Sequence, residues 1–170
     1  KIISDLNIAA DGKNSFVRKY LKTSLNFKNY NKKAMVLTFS HSLNHKNTAY
    51  ELFFDNGPFA ILPMQKENGN NMSSIVWTNS YDYLDALNEI NKEKLITELN
   101  KIVEPYIGKI KKIFNIQLFP LSAHINEMFY SNRNIYIGDS AHSVHPIAGQ
   151  GWNLGMKDVE ELSKLAKKFR

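Results

Sequence analysis

Residues 134–170 read NIYIGDSAHSVHPIAGQGWNLGMKDVEELSKLAKKFR, and the order of residue types in this stretch decides the fold class. Asn134 to Ile137 is a short apolar strand ending on Gly138-Asp139. A glycine-rich loop through Pro146, Gly149 and Gly151 follows, and a helix is expected from about Asn153. At the carboxyl end of a strand, an aspartate can accept hydrogen bonds from a ribose hydroxyl. A helix amino terminus presents unpaired N–H groups and the positive end of a dipole to an anion. The glycines let the backbone come close to a ligand. Strand, acidic turn, glycine loop and helix form a ligand-binding layout. The same order also serves a plain strand-to-helix connection punctuated by glycine, and these residue types alone do not separate the two.

Upstream, Leu6 to Arg18 (LNIAADGKNSFVR) reads as a strand end reaching Asp11-Gly12, a tight turn, and a short helix that Ser15 helps to start. From Lys33 to Asn79 the segments KAMVLTFSHSL, TAYELFF, GPFAILPM and SSIVWTNS are rich in β-branched and aromatic residues and punctuated by Asn, Gly and Pro, which predicts an antiparallel sheet. Tyr81 to Val103 changes to helical spacing, with Leu84, Leu87, Leu95, Leu99 and Ile102 on one stripe, Asn91 as a cap and Pro105 as a stop. That helix is expected to cover one face of the sheet. IQLFPLSAHI, residues 116–125, reads as a further strand. The aromatics Phe39, Phe53, Phe54, Phe59, Trp77 and Tyr81 are expected in the core, with one or two lining a pocket.

A chain of 170 residues with 43% hydrophobic content can bury a substantial core. Its 22 Lys and Arg against 16 Asp and Glu give +6, yet the lysines of Asn91 to Glu104 alternate with glutamates as on a solvated helix face. A continuous basic stripe is missing, so nucleic acid is not the expected partner. Without cysteine there is no disulfide, thiolate nucleophile or Cys-ligated metal. His142 and His145 have the spacing of a metal pair, but no adjacent carboxylate or cysteine completes a site, and no metal is expected. Ser140 with His142 lacks the GxSxG turn of a hydrolase. No stretch reaches the roughly 18 apolar residues of a membrane-spanning helix. The chain starts at Lys1 and enters a strand directly, which reads as a piece of a larger protein.

GDSAHSVHPIAGQGWNLGMKDVEEL, residues 138–162, resembles the GD motif of the FAD-dependent ubiquinone-biosynthesis hydroxylases, within the flavoprotein monooxygenases of the p-hydroxybenzoate hydroxylase fold. AADGKNSFVR, residues 9–18, is similar to their DG motif. GPFAILPM, SSIVWT and FPLSAH resemble the substrate-domain sheet between the two. The resemblance implies an α/β fold in which an α+β substrate sheet is inserted in a divided, incomplete Rossmann-like FAD domain. Residues 1–18 would be one piece of the FAD domain, 19–128 the substrate domain and 129–170 the other FAD piece. It places Asp139 on the ribityl or ribose hydroxyls of FAD, Gly138 at the turn, and Pro146 beside the isoalloxazine ring. Gly151, Trp152 and Asn153 at the helix start would bring backbone N–H groups to the pyrimidine edge of the flavin, with Gly149 and Gln150 also among the cofactor-binding residues it implies. At Trp152 the family usually carries a smaller residue, commonly Leu. Asp11, Gly12 and Arg18 are associated with FAD and the nicotinamide cofactor.

The implied activity is transfer of one oxygen atom from O2 to a polyprenylated phenol or quinol, with NAD(P)H as the electron donor. The cofactor carries the chemistry, so no catalytic side chain is named. The implied location is cytoplasmic, with peripheral contact at the inner face of a membrane in which such substrates dissolve. The family's GxGxxG segment, which holds the ADP half of FAD, does not occur in these residues. Two readings follow. In one the chain is part of an enzyme completed by an N-terminal half, alongside other ubiquinone-biosynthesis proteins. In the other it is a non-catalytic remnant that binds a quinone precursor or a partner.

Overall fold

The computed structural model describes residues 4–145 and 149–168. The chain forms two compact units, one drawn from residues 1–30 and 122–170 and the other from 31–121. The chain passes between them inside two long strands, β2 (Leu25–His41) and β6 (Ile110–Asn126). The sequence motifs place the corresponding boundaries after Arg18 and after Met128, outside these strands.

The unit of residues 31–121 is built on antiparallel pairing of β3 (Tyr50–Phe54), β4 (Gly57–Glu67), β5 (Asn70–Ser80) and β2, with β6 on the far side of β2. Opposite Trp77 of β5 stand Phe59 of β4 and Met35 of β2, and opposite Ile75 stand Ile61 and Leu37. Because side chains alternate along a strand, this register puts all six on one face, where each is buried. Two helices, α2 (Tyr81–Glu89) and α3 (Lys92–Ile107), cover that face with Leu84, Leu87, Leu95, Leu99, Val103 and Ile107. Each such side chain contributes about 1.5–3 kcal/mol on burial.

Several expectations are corrected here. The stretch from Tyr81 to Val103 is two helices, because the Asn91 side chain accepts from the Lys94 N–H and starts α3 anew. Pro105 does not stop α3, which continues to Ile107. A proline in the last turn removes only one helical bond, and Gly108, with φ 73, ends the helix with its N–H on the Glu104 carbonyl. Strand β2 starts at Leu25, eight residues before Lys33, through a mostly exposed stretch in which Asn and Lys interrupt Leu25, Phe27 and Tyr30. Of the aromatics expected in the core, Phe39, Phe59 and Trp77 are buried, whereas Phe53 is 74% and Phe54 46% exposed.

The other unit holds a three-stranded sheet of order β1-β8-β7. Strand β1 (Asn7–Ala9) runs parallel to β8 (Asn134–Tyr136), with Ala9 opposite Tyr136, and β7 (Tyr130–Ser131) returns antiparallel to β8. Ala9, Tyr136 and Ala141 form a small core with Val17 of the short helix α1 (Phe16–Tyr20). Strand β9 (His142–Ser143) pairs with the end of β6, and α4 (Gln150–Lys168) closes the chain. Helix α4 starts three residues before the expected Asn153, directly after Gly149, whose φ of 65 cannot belong to a right-handed helix.

Leu99 is fully buried, so Leu99→Ala is expected to cost about 2–5 kcal/mol in urea denaturation. Phe53→Ala is expected to change stability by less than about 0.5 kcal/mol. Equal losses in the two variants would contradict the placement of the core.

Candidate functional site

Parallel pairing of β1 with β8 brings their carboxyl ends side by side, and each strand continues into one of the two motifs: Ala10-Asp11-Gly12 after β1, and Ile137-Gly138-Asp139 after β8. Crevices at the carboxyl ends of parallel strands are common ligand sites. Here the crevice is a cavity of about 600 Å³, lined by Gly12, Gly138, Asp139, Gly149, Gly151 and Trp152 together with Ala10, Gly155, Met156 and Val159. Six of the residues singled out from sequence therefore converge.

The glycines give this cavity a backbone wall. Gly12 and Gly149 have positive φ and nothing within 4 Å of the place a Cβ would occupy, so the main chain lies open there. A Cβ on Gly155 would stand 3.3 Å from the Gly138 Cα, which lets α4 approach the turn after β8 closely. Asp158, one helical turn further along, accepts the Gly138 N–H at 2.7 Å through Oδ2. The same oxygen lies 2.8 Å from His142 Nε2. Gly151, Gly155 and Asp158 are spaced i, i+4, i+7, so a helical reading of the sequence carries the signal that they share a face.

The remaining predicted residues fall outside the lining. The Asp11 carboxylate accepts the Val17 N–H at 3.1 Å and so caps α1. Slight burial pushes its carboxyl up, but hydrogen bonds from the Ser15 side chain and from local backbone N–H groups outweigh that and hold it below the ordinary value. Arg18 is 6% exposed. One guanidinium nitrogen donates to the Ser140 carbonyl at 2.9 Å and lies 3.1 Å from His124 Nε2, and another donates to the Lys13 carbonyl. Gln150 and Asn153 sit exposed in the first turn of α4. Pro146 lies outside the described residues.

His124 and Asn126 carry no signal in the sequence, because a lone polar residue in a strand has no spacing to read, and Ser140 is read there only beside His142, as lacking a hydrolase turn. The Ser140 carbonyl takes both the Arg18 bond and one from Asn126 Nδ2 at 3.1 Å. The Ser140 hydroxyl lies against the Ala9 carbonyl, across from β1. Burial lowers the pKa of His124, the Arg18 and Lys13 charges lower it further, and the Asp139 backbone and charge only partly offset this. Burial also lowers the pKa of Lys13, against the pull of the Asp139 charge, and Lys13 Nζ donates to the Ser122 carbonyl at 3.0 Å.

A second cavity of about 500 Å³ adjoins the first, sharing Ser143 and Val144 with it. Its wall is largely apolar, with Phe27, Ala123, Ile125 and Leu154, interrupted by Asn26, Lys28, His124 and His142. A backbone-walled cavity beside an apolar one suits a polar cofactor held next to an apolar substrate. Among the described residues no three metal-ligating side chains converge. His142 is engaged by Asp158, and the His145 ring packs edge-on to Tyr30 at 4.8 Å.

Residues 1–170 match the family described as FAD binding domain. The chain is 34% identical over 159 residues to ubiquinone hydroxylase UbiL of Rhodospirillum rubrum, covering 94% of this chain and 36% of that protein. It is 30% identical over 161 residues to 3-demethoxyubiquinol 3-hydroxylase of Escherichia coli, covering 95% of this chain and 40% of that one. It thus spans little more than a third of the length of these relatives. Among solved structures, aklavinone-11 hydroxylase in its ternary complex with FAD and aklavinone superposes with TM-score 0.70 at 17% identity, over 91% of this chain and 29% of that one. PqsL from Pseudomonas aeruginosa, a probable FAD-dependent monooxygenase, superposes with TM-score 0.71 at 20% identity, over 94% and 45%. These structures share the fold.

Protonation of His124 is opposed in the folded chain, so its stabilising contribution is complete above the ordinary histidine value of 6.5 and is lost as pH falls from there towards the lowered folded value. Burial lowers His41 in the other unit in the same direction. The unfolding temperature is expected to fall between about pH 7 and pH 5, and to fall less steeply in His124→Gln, with His41 supplying the remainder. An unchanged slope in the variant would contradict the placement of His124.

Proposed function

The chain belongs to the FAD-binding-domain family, and from that membership we propose that it is the part of an FAD-dependent monooxygenase that holds the flavin end of the cofactor beside its substrate. The proposed reaction is hydroxylation of the aromatic ring of a polyprenyl phenol or quinol precursor of ubiquinone. One observation carries this reading. The two motifs that end adjacent parallel strands line a single backbone-walled cavity, and an apolar cavity opens against it across Ser143 and Val144.

The residues fit the cofactor. The exposed Asp139 carboxylate lines the cavity as an acceptor for ribityl or ribose hydroxyls. Gly138, Gly12 and Gly149 allow backbone approach without side-chain obstruction. The start of α4 at Gln150, Gly151, Trp152 and Asn153 offers N–H groups and a positive dipole end to the pyrimidine edge of the ring, which becomes negative on reduction. Trp152 lines the cavity while 74% exposed, so its size is accommodated without a buried site of its own. We assign Pro146 to the edge of the ring from the family motif. Asp11 and Arg18 act from behind, Asp11 by capping α1 and Arg18 by joining the two motif turns. Bound FAD would supply the oxygen-activating chemistry, with NAD(P)H as the proposed electron donor, and these residues would orient the ring and keep water from it.

The apolar cavity suits an aromatic ring and the start of a prenyl chain. We propose that a membrane-dissolved precursor is met at the membrane surface; no described helix is long and apolar enough to cross a membrane. The ADP half of FAD calls for a βαβ unit with GxGxxG, which these 170 residues do not contain. We assign that half to a separate stretch of polypeptide.

Flavin fluorescence tests the reading, with the purified chain alone and mixed with a polypeptide carrying the GxGxxG half. Binding is expected to be tight only in the mixture, and Asp139→Ala is expected to weaken it by about tenfold to a hundredfold, the worth of charge-assisted hydrogen bonds. Absence of binding in the mixture, or equal affinity in the variant, would favour a non-catalytic module.

A further inference from the structure

One polar pair, His142 beside the apolar cavity and Asp158 of α4, has been given no chemical role so far. His142, 14% exposed at its side chain, lines the apolar cavity, and its Nε2 lies 2.8 Å from Asp158 Oδ2. That oxygen also accepts the Gly138 N–H at 2.7 Å, which fixes the carboxylate in place. A carboxylate only accepts hydrogen bonds, so the hydrogen between the two groups belongs to His142 Nε2. The neutral ring is thereby held in one tautomer, with an unprotonated lone pair on Nδ1. Among the described residues, none bonds Nδ1. The Phe129 ring packs against the imidazole at 5.9 Å between centroids and limits its rotation.

We propose that His142, oriented by Asp158, accepts the proton from the hydroxyl of a phenol bound in the apolar cavity. This rests on the reading of that cavity as the site of the aromatic substrate. In the step, the phenol O–H bond breaks and its electron pair stays on oxygen. The proton moves to Nδ1, giving a phenolate and an imidazolium, and it returns to solvent after product leaves. No oxidant or reductant is consumed. A phenolate ring is richer in electrons than a phenol and so more reactive towards an electrophilic oxygen. The Asp158 carboxylate stabilises the imidazolium in the way that a buried aspartate supports a catalytic histidine.

Two other charged or titratable groups line this cavity, His124 and Lys28. His124 is unsuited to the role. Its Nε2 is engaged by Arg18, and burial with the Arg18 and Lys13 charges opposes protonation. Lys28, with its Nζ 5.4 Å from the Tyr30 ring centroid, is a cation that favours a phenolate without taking its proton.

The test uses 4-nitrophenol, whose ionised form absorbs at longer wavelength, titrated with the 170-residue chain over a range of pH. With the unaltered chain, bound probe is expected to ionise about tenfold more readily than free probe, one pH unit lower. His142→Gln, whose amide can still donate to Asp158, is expected to bind the probe but leave its ionisation as in water. Asp158→Asn, which keeps an acceptor for the Gly138 N–H, is expected to reduce the shift. Nitrogen-15 spectra of the imidazole should show hydrogen on Nε2 in the unaltered chain and loss of that preference in Asp158→Asn. Equal ionisation in the unaltered chain and His142→Gln, or hydrogen on Nδ1, overturns the proposal. Failure of the probe to bind the unaltered chain overturns it together with the substrate reading of the cavity. His142-dependent ionisation in a chain that fails the flavin test supports the proposal and removes the FAD reading alone.

Discussion

A buried guanidinium needs acceptors on every side, since burying charge without partners costs several kcal/mol. Arg18 meets that demand by drawing on two segments far apart in sequence. Its donors reach the Lys13 carbonyl in the turn after β1, the Ser140 carbonyl in the turn after β8, and His124 at the end of β6. One side chain therefore bonds both motif turns, on top of the pairing of β1 with β8. The backbone-walled cavity exists only when those turns stand together. Ser140 reinforces the join, with its hydroxyl against the Ala9 carbonyl of β1 and its own carbonyl shared between Arg18 and Asn126.

The position of α4 follows from the same turn. None of its described residues is fully buried, so hydrophobic packing contributes little to where it sits. What ties it down is local: Gly155 against Gly138, and Asp158 on the Gly138 N–H and His142. This arrangement aims the helix amino terminus at the cavity and ties a carboxylate to the imidazole that lines the apolar cavity. Cofactor site and proton acceptor thus share one support, the turn at Gly138. The unit of residues 31–121 is built differently, its sheet and helices joined by a continuous apolar core.

Much of this was legible in the sequence, for physical reasons that differ by element. Alternation of β-branched and aromatic residues marked β4 and β5, whose buried faces repeat every second residue. Ser15 and Asn91 were readable as caps because a short polar side chain before an apolar run has one favoured use. Motif glycines and Asp139 stood out because few layouts need them in that order. The break between α2 and α3 is less visible, since the apolar stripe continues in phase across it, and Pro105 reads as a stop although the end of a helix tolerates proline. The start of β2 has only Leu25 and Phe27 in alternation before Asn and Lys interrupt it, too short a pattern to mark a strand. Arg18 showed its place in the motif but not its burial, because acceptors at Lys13, His124 and Ser140 come together only in the folded chain. Asp158 lay in view on the helix face of Gly151 and Gly155, yet its partners Gly138 and His142 are defined by the loop's path.

Amide hydrogen exchange in Arg18→Met tests directly whether one guanidinium joins both turns. The amides to follow are Ser15, which donates to the Gly12 carbonyl at 3.0 Å, and Ala141, which donates to the Gly138 carbonyl at 2.8 Å. If Arg18 joins the turns, both amides exchange faster in the variant by about tenfold or more, while those of the Leu99 core keep their protection. Faster exchange at Ser15 alone, with Ala141 unchanged, would mean that the turn after β8 holds its shape without Arg18, and would contradict the account.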